Sequence, residues 1–455
     1  MSEAFPERNL VLSQACDQRA TLGFFFLLLF TVAIYGRPED IFPSLGQLHL
    51  TLAFGLCASL AYLGALLSAK APLVWTRELR IVLVLTGWYV AGVPFAFWRS
   101  GSFQTLTQVW SKTLLGFFLL SQTLTTVGRV RKVLWAMILS ELIVTGVSIA
   151  LSGNAALRVG DRVAGISQGL LGWNYFGIAV AHTIPYLGIL YLSRRSLLRT
   201  ALLIATVAVM MWMLVLTASR GGSLSVLFSI ILTWWFVLRG SARGRIAGLV
   251  VVLLLLVSVV RAPDIFFIRL QTIWNGSEAT SNETVASAEE STEGRKFLLD
   301  RAIMYTLRCP IFGVGMGDFP VINGTELDRA DAWYSTHNTF TQMSSEAGIP
   351  ALVFFLLLLA TVVSHMKRVS EDFANDPANN ELRLLARATL VSVVSLAFGG
   401  FFLNMAYDGY FYYPVGIAAG LWAMSRQSAK ALLRRAESSE PLPAIPSTKW
   451  SSKWL

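Results

Sequence analysis

Charge is scarce in this chain. Asp, Glu, Lys and Arg together make up 14% of its 455 residues, while 55% are hydrophobic. A soluble domain carries about a quarter charged residues, so this composition excludes an ordinary soluble fold. Cysteine is scarcer still. Cys16, Cys57 and Cys309 are far apart and odd in number, which gives neither a disulfide framework nor a thiolate metal site. A basic domain is also lacking: the net charge of +10 is dispersed among short loops, which argues against nucleic acid as a partner. No small-residue cleavage pattern accompanies the first apolar run. Arg8, Asp17 and Arg19 precede it, as expected of a retained first helix.

What the sequence does have is repeated apolar runs, most of them near the ~18 residues that mark a membrane-crossing helix. They lie near 20–35, 50–68, 79–98, 113–127, 134–151, 166–193, 200–217, 222–238, 246–260, 348–365, 388–405 and 412–424. The expected fold is an all-α polytopic membrane protein with about twelve helices. It divides into helices 1–9 over 1–260, a large loop over 261–347, helices 10–12 over 348–425 and a disordered tail over 426–455.

Basic clusters fall in every second loop: Lys70, Arg77 and Arg80; Arg129, Arg131 and Lys132; Arg194, Arg195 and Arg199; Arg239, Arg243 and Arg245; Lys367, Arg368, Arg383 and Arg387. A further set, Arg426, Lys430, Arg434 and Arg435, occupies the tail. Positive loops stay in the cytoplasm, so both termini are expected inside. Arg220, in the turn between the seventh and eighth spans, then lies outside and is no topology anchor.

The same alternation puts 261–347 outside. Its first part, around Asn275–Thr292, is rich in Ser, Thr and Glu and reads as mobile. Leu299, Ile303 and Leu307 then recur at helical spacing, which predicts an amphipathic helix over 293–308, capped by Thr292 and stopped at Cys309-Pro310. Arg295 would sit in its first turn, where the helix dipole disfavours a cation, so another use is expected for it. Arg301 and Arg308 read as a solvated face. Gly313, Gly315 and Gly317 lie in a run whose backbone N–H groups can approach an anion, although a flexible turn accounts for the same residues. Ser335 or Thr336 can cap the next helix, which sets His337 at a helix N-terminus as a neutral imidazole able to accept a proton. Polar packing is the alternative for a lone histidine.

In order, these pieces resemble the bacterial O-antigen ligase and polymerase family. The matching elements are Ser219-Arg220-Gly221-Gly222, Gly294-Arg295, Pro310 through Phe319, His337-Asn338 and Glu346-Ala347-Gly348-Ile349. Arg162, Gly165 and Asn174 match a further element. The specific part of the resemblance covers about 160–350; elsewhere only the pattern of spans agrees.

The resemblance implies a GT-C-like membrane glycosyltransferase at the outer face of the bacterial inner membrane. The donor would be a glycan on undecaprenyl pyrophosphate, and the acceptor lipid A–core or another glycan. Arg220 and Arg295 would hold the pyrophosphate and His337 would activate the acceptor hydroxyl, with no metal or other cofactor. Ser219, Gly221, Asn338, Glu346, Gly313, Gly315, Gly317, Arg162 and Asn174 would support them. Arginine forks suit phosphate oxygens, and two of them can do the electrostatic work that a metal does elsewhere.

A ligase is favoured because a single large loop ends in His-Asn; a polymerase or protein O-glycosylation ligase is the alternative. A metal-dependent enzyme would draw on Glu39, Asp40, Asp328 and Asp331. A lipid-linked glycan transporter would draw on Glu141 and His182, within the fifth and sixth spans. The aromatic run after Asp408 would face either acceptor sugar or the membrane interface.

Overall fold

The computed structural model describes residues 21–68, 71–153, 158–159, 162–163, 173–193, 196–264, 266–267, 283–328 and 333–438, without side chains at 158–159, 162, 173–174, 283–292 and 429–438. Gly165, Asp331, the tail beyond 438 and the start of the sixth expected span lie outside these residues.

Among the described residues the protein is all-α apart from one hairpin of two-residue strands. The helices α1 (Thr21–Gly36), α2 (Leu50–Leu67), α3 (Arg77–Gly92), α4 (Ser111–Thr123) and α5 (Val127–Ala150) lead to antiparallel strands β1 (Arg158–Val159) and β2 (Arg162–Val163). Then come α6 (Trp173–Ser193), α7 (Leu197–Thr217), α8 (Arg220–Thr233), continued by a π-helical turn over Trp234–Leu238, and α9 (Ala242–Val260). The large loop carries α10 (Glu283–Arg308) and α11 (Phe319–Leu327), and α12 (Thr339–Asp372), α13 (Asn380–Gly399) and α14 (Gly409–Ser438) close the chain. A bilayer leaves backbone groups no water to bond, so apolar spans become helices.

Among the described residues, nine helices are long and apolar enough to cross a membrane, and α1 is a shorter apolar one. Helix caps mark several starts: Thr76, Thr126, Ser219 and Ser241 each accept a backbone N–H of the following turn, which satisfies an otherwise orphaned donor.

The two ends of the bundle differ. At one end the basic loops are tied by Arg131–Glu381 at 3.1 Å and His365–Glu78 at 2.6 Å. At the other end the loops 93–105, 309–318, 336–349 and 400–408 interlock, and there the candidate site forms.

Several expectations need correction. The last helix continues to Ser438, past the boundary at 425; Ala429, Ala431, Leu432 and Leu433 favour helix. Tyr410, Phe411, Tyr412 and Tyr413 face neither sugar nor lipid interface. All four are buried, with Tyr410 against Tyr35 (ring centroids 4.5 Å apart) and Tyr412 against Trp110 (4.9 Å). Glu141 and His182 are buried in the same interior: Thr183 Oγ1 donates to Glu141 Oε2 at 2.8 Å, and the Tyr35 hydroxyl meets His182 Nε2 at 3.3 Å.

Candidate functional site

The Ser-Arg-Gly-Gly turn separates α7 from α8. Ala218 takes a left-handed conformation with φ 46°, and Ser219, buried, caps α8 by accepting Gly222 N–H at 3.2 Å. Arg220 is therefore the first residue of α8, half-buried at the loop end of the bundle. Both glycines are needed for close packing. A Cβ on Gly221 would stand 2.9 Å from Phe402 Cβ, and one on Gly177 of α6 would stand 2.3 Å from Gly222 Cα. The α6–α8 crossing thus brings Asn174, one turn before Gly177, to the same end. Tyr175 beside it donates to the Asn404 carbonyl at 3.0 Å. Arg162 lies in β2.

The helix bearing Arg295 begins at Glu283, not after Thr292, so Arg295 lies in its interior. The Ala and Glu residues of 286–290 propagate helix well, and the Ser/Thr content obscured this. The expected inward face is also wrong. Leu299, Ile303 and Leu307 are exposed, whereas Leu298, Ala302 and Tyr305 are buried and pack with Val314 and Phe319. Arg295 is three residues before Leu298 and seven before Ala302, which places it on this inward stripe.

The two later arginines of α10 are not simply solvated. Arg301 Nη2 meets Glu326 Oε2 at 2.6 Å, Arg308 Nη1 meets Glu326 Oε1 at 3.1 Å, and Arg301 Nε donates to Asn323 Oδ1 at 2.9 Å. They fasten α11 to α10. Among the described residues no carboxylate pairs with Arg295.

Burial, and then the neighbouring Arg220 charge, push the Arg295 guanidinium below its ordinary range. Two partly buried cations within electrostatic reach repel each other, and an anion between them would relieve that repulsion.

His337 joins this pair. Its ring is pushed down to about 4, first by burial and then by the Arg295 charge. Its Nδ1 is buried without a hydrogen-bond partner among the described residues. The backbone is left-handed at φ 50°, uncommon for a non-glycine residue although less so for His. Neither Ser335 nor Thr336 caps α12. Asn338 does, accepting Phe340 N–H at 2.9 Å and Thr341 N–H at 3.1 Å. His337 therefore precedes the cap, and burial with Arg295, rather than a place in the first helical turn, explains its neutral state.

The glycine run and the Glu-Ala-Gly-Ile element grip each other. Val314 N–H donates to Ser345 O, Gly315 N–H to Glu346 O, and Ile349 N–H to Pro310 O at 2.8 Å. Gly317 N–H donates to Glu346 Oε2 at 3.0 Å, which also accepts Gln342 Nε2 at 3.2 Å. Gly313 N–H is held by Cys309 O. These donors are spent inside the protein, so the run is neither an anion cradle nor a flexible turn. Gly313, Gly315 and Gly317 have φ of 68°, 118° and 75°, the left-handed region that glycine adopts readily.

Gly348 breaks α12 with φ 85°, and a Cβ there would stand 1.9 Å from the Ile311 carbonyl oxygen.

Sequence reasoning passed over three buried residues that hold this frame. Asp318 Oδ2 accepts Trp98 N–H at 2.8 Å and Ser102 Oγ–H at 3.0 Å; burial, against these donors, pushes its carboxyl up to about 6. Thr339 Oγ1 donates to Leu403 O at 2.6 Å and accepts Met405 N–H at 3.0 Å. Gln342 Oε1 accepts Ala406 N–H at 3.1 Å. A short polar residue beside a tight turn is the only sequence signal for Asp318.

Residues 205–356 match the family model described as O-antigen ligase. The chain carries an O-antigen ligase domain. No curated protein matches the chain. The O-antigen ligase match contains Arg220, Arg295, the glycine run, His337 and Glu346, while Arg162 and Asn174 precede it. Taken with its membrane helices, the match makes this a membrane glycosyltransferase of the ligase or polymerase type, acting on lipid-linked glycan.

Proposed function

We propose that the protein transfers a glycan from undecaprenyl pyrophosphate to an acceptor hydroxyl, lipid A–core being favoured, at the outer face of the bacterial inner membrane. One observation carries this reading. Arg301 and Arg308 of α10 pair with Glu326, but among the described residues Arg295 pairs with no carboxylate and lies within electrostatic reach of Arg220 and His337.

In this reading Arg220 and Arg295 bind the pyrophosphate oxygens. The acceptor oxygen attacks the anomeric carbon from the face opposite the leaving group. The bond from that carbon to the phosphate oxygen breaks, and its electron pair leaves with undecaprenyl pyrophosphate, whose charge the two guanidiniums stabilise. A ring nitrogen of His337 takes the hydroxyl proton, a contribution of about 10²–10⁴-fold for a positioned base. The reaction needs no metal in this scheme. The basic ends of the helices face the cytoplasm, as do both termini.

The test is transfer by the purified chain from an undecaprenyl-pyrophosphate glycan, with lipid A–core added or omitted. Product on lipid A–core supports the ligase. Lengthened lipid-linked glycan without an added acceptor supports the polymerase. Full transfer by Arg220→Ala, Arg295→Ala and His337→Ala would remove the assignment of the site.

A further inference from the structure

At the end of the bundle opposite Arg220 and His337, a cavity of about 630 Å³ opens between the π-helical end of α8, the start of α9, the end of α12 and the start of α13. Five cations line it, Arg239, Arg243, Lys367, Arg383 and Arg387, with a single carboxylate, Glu371. Among the described residues no ion pair neutralises any of the five.

Their bonds go instead to neutral acceptors. Arg387 Nε donates to Ser370 Oγ at 2.7 Å, Arg383 Nη2 to Asn380 Oδ1 at 2.8 Å, and Arg243 Nη2 to Tyr191 O at 3.2 Å. Arg383 Nε is buried and has no partner among the described residues. Arg387 lies within Coulombic range of both Arg383 and Arg239.

A topology anchor needs only an exposed charge next to a helix end. Here Arg243, Arg383 and Arg387 are half-buried and converge on one space. Like charges gathered this way repel each other, and an anion among them offsets that repulsion. Beside the polar Ser241, Ser370 and Asn380, the lining has an apolar side that includes Leu192, Trp235 and Leu384. Trp235 is 55% exposed and carries Arg239 over its ring at 3.7 Å, an aromatic at the level where membrane headgroups lie.

We propose that this cavity binds the headgroup of an anionic phospholipid: its phosphodiester lies among the arginines, and the first carbons of its acyl chains rest on the apolar rim. Basic pockets between membrane helices take acidic headgroups in this way, and guanidinium forks supply charge-assisted bonds to phosphate oxygens. The site is separate from the transfer site and does not depend on its assignment.

The test uses the full chain in neutral detergent and measures binding of dioctanoyl phosphatidylglycerol by native mass spectrometry. Dioctanoyl phosphatidylcholine, glycerol 1-phosphate and inorganic phosphate serve as comparison ligands. Phosphatidylglycerol is expected to bind at least tenfold more tightly than phosphatidylcholine, and a tenfold excess of either soluble phosphate should not displace it. Arg383→Gln should weaken that binding about threefold, and Arg243→Gln with Arg383→Gln and Arg387→Gln at least tenfold. Arg426→Gln, outside the cavity, should leave it unchanged. Arg383→Lys, which keeps the charge, guards against misfolding by retaining most of the affinity. Equal binding of the two lipids, or unchanged phosphatidylglycerol binding in the triple variant, overturns the proposal. Displacement by a tenfold excess of inorganic phosphate would mean a soluble-anion site and overturn the lipid assignment.

Discussion

At His337 burial and the Arg295 charge act in the same direction, and the ring stays neutral down to about pH 4. A neutral ring is the form that accepts a proton, so on the acid side kcat/KM should be flat until about pH 4 and then fall about tenfold per unit. In the proposed complex a pyrophosphate beside Arg295 would offset that cation and raise the ring's pKa. The decline in kcat should therefore begin at a higher pH than the decline in kcat/KM. Coincident profiles, or an acid limb near 6.5 in kcat/KM, would mean the ring does not sit beside Arg295 as described. Arg301 behaves differently. Its bonds to Glu326 and Asn323 hold α11, so Arg301→Ala should cost about 1–3 kcal/mol in thermal unfolding, with donor affinity retained. Arg220, Arg295 and His337 were legible as an ordered set of motifs. Asp318, Thr339 and Gln342 were not, because their partners lie in loops remote in sequence and only the folded chain brings them together.

Among the elements, α10 and α12 show where periodicity misleads. Two apolar stripes coexist on α10: Leu299, Ile303 and Leu307, and Leu298, Ala302 and Tyr305. The sequence alone favours the bulkier set, yet the stripe containing small Ala302 is the buried one, because small residues allow close packing of Val314 and Phe319. In α12 the break at Gly348 lets the chain at Pro310–Ile311 run alongside. Gly348→Ala places a methyl group against the Ile311 carbonyl and forces a left-handed alanine, a strain of about 1–2 kcal/mol before the clash is counted. Thermal unfolding in detergent should show a large loss for Gly348→Ala. Gly294→Ala, with no neighbour within 4 Å of the added carbon and a gain in helix propensity, should lose nothing. Equal loss in both variants would contradict the clasp between the glycine run and α12.

The whole molecule places its basic loops at one end and its interlocked loops at the other, and the membrane spans were the most legible feature because burial in lipid demands long apolar helices. Sidedness can be read from a native residue. Cys309 is exposed at the loop end. With Cys16 and Cys57 changed to serine, an impermeant maleimide should label it from the periplasmic side of intact cells; labelling only in inverted vesicles would reverse the orientation. The site itself exists only when α8, α10 and the start of α12 are assembled, so its chemistry is best tested on the intact chain as headgroup binding. The measurement is affinity for undecaprenyl pyrophosphate against undecaprenol in the wild type, Arg295→Gln and Arg308→Gln. The two-arginine clamp predicts strong preference for the pyrophosphate lipid, an at least tenfold loss of that preference in Arg295→Gln, consistent with about 1.5–3 kcal/mol for a bond to a charged group, and no change in Arg308→Gln. Equal affinity for both lipids in the wild type, or an unaltered preference in Arg295→Gln, would contradict it.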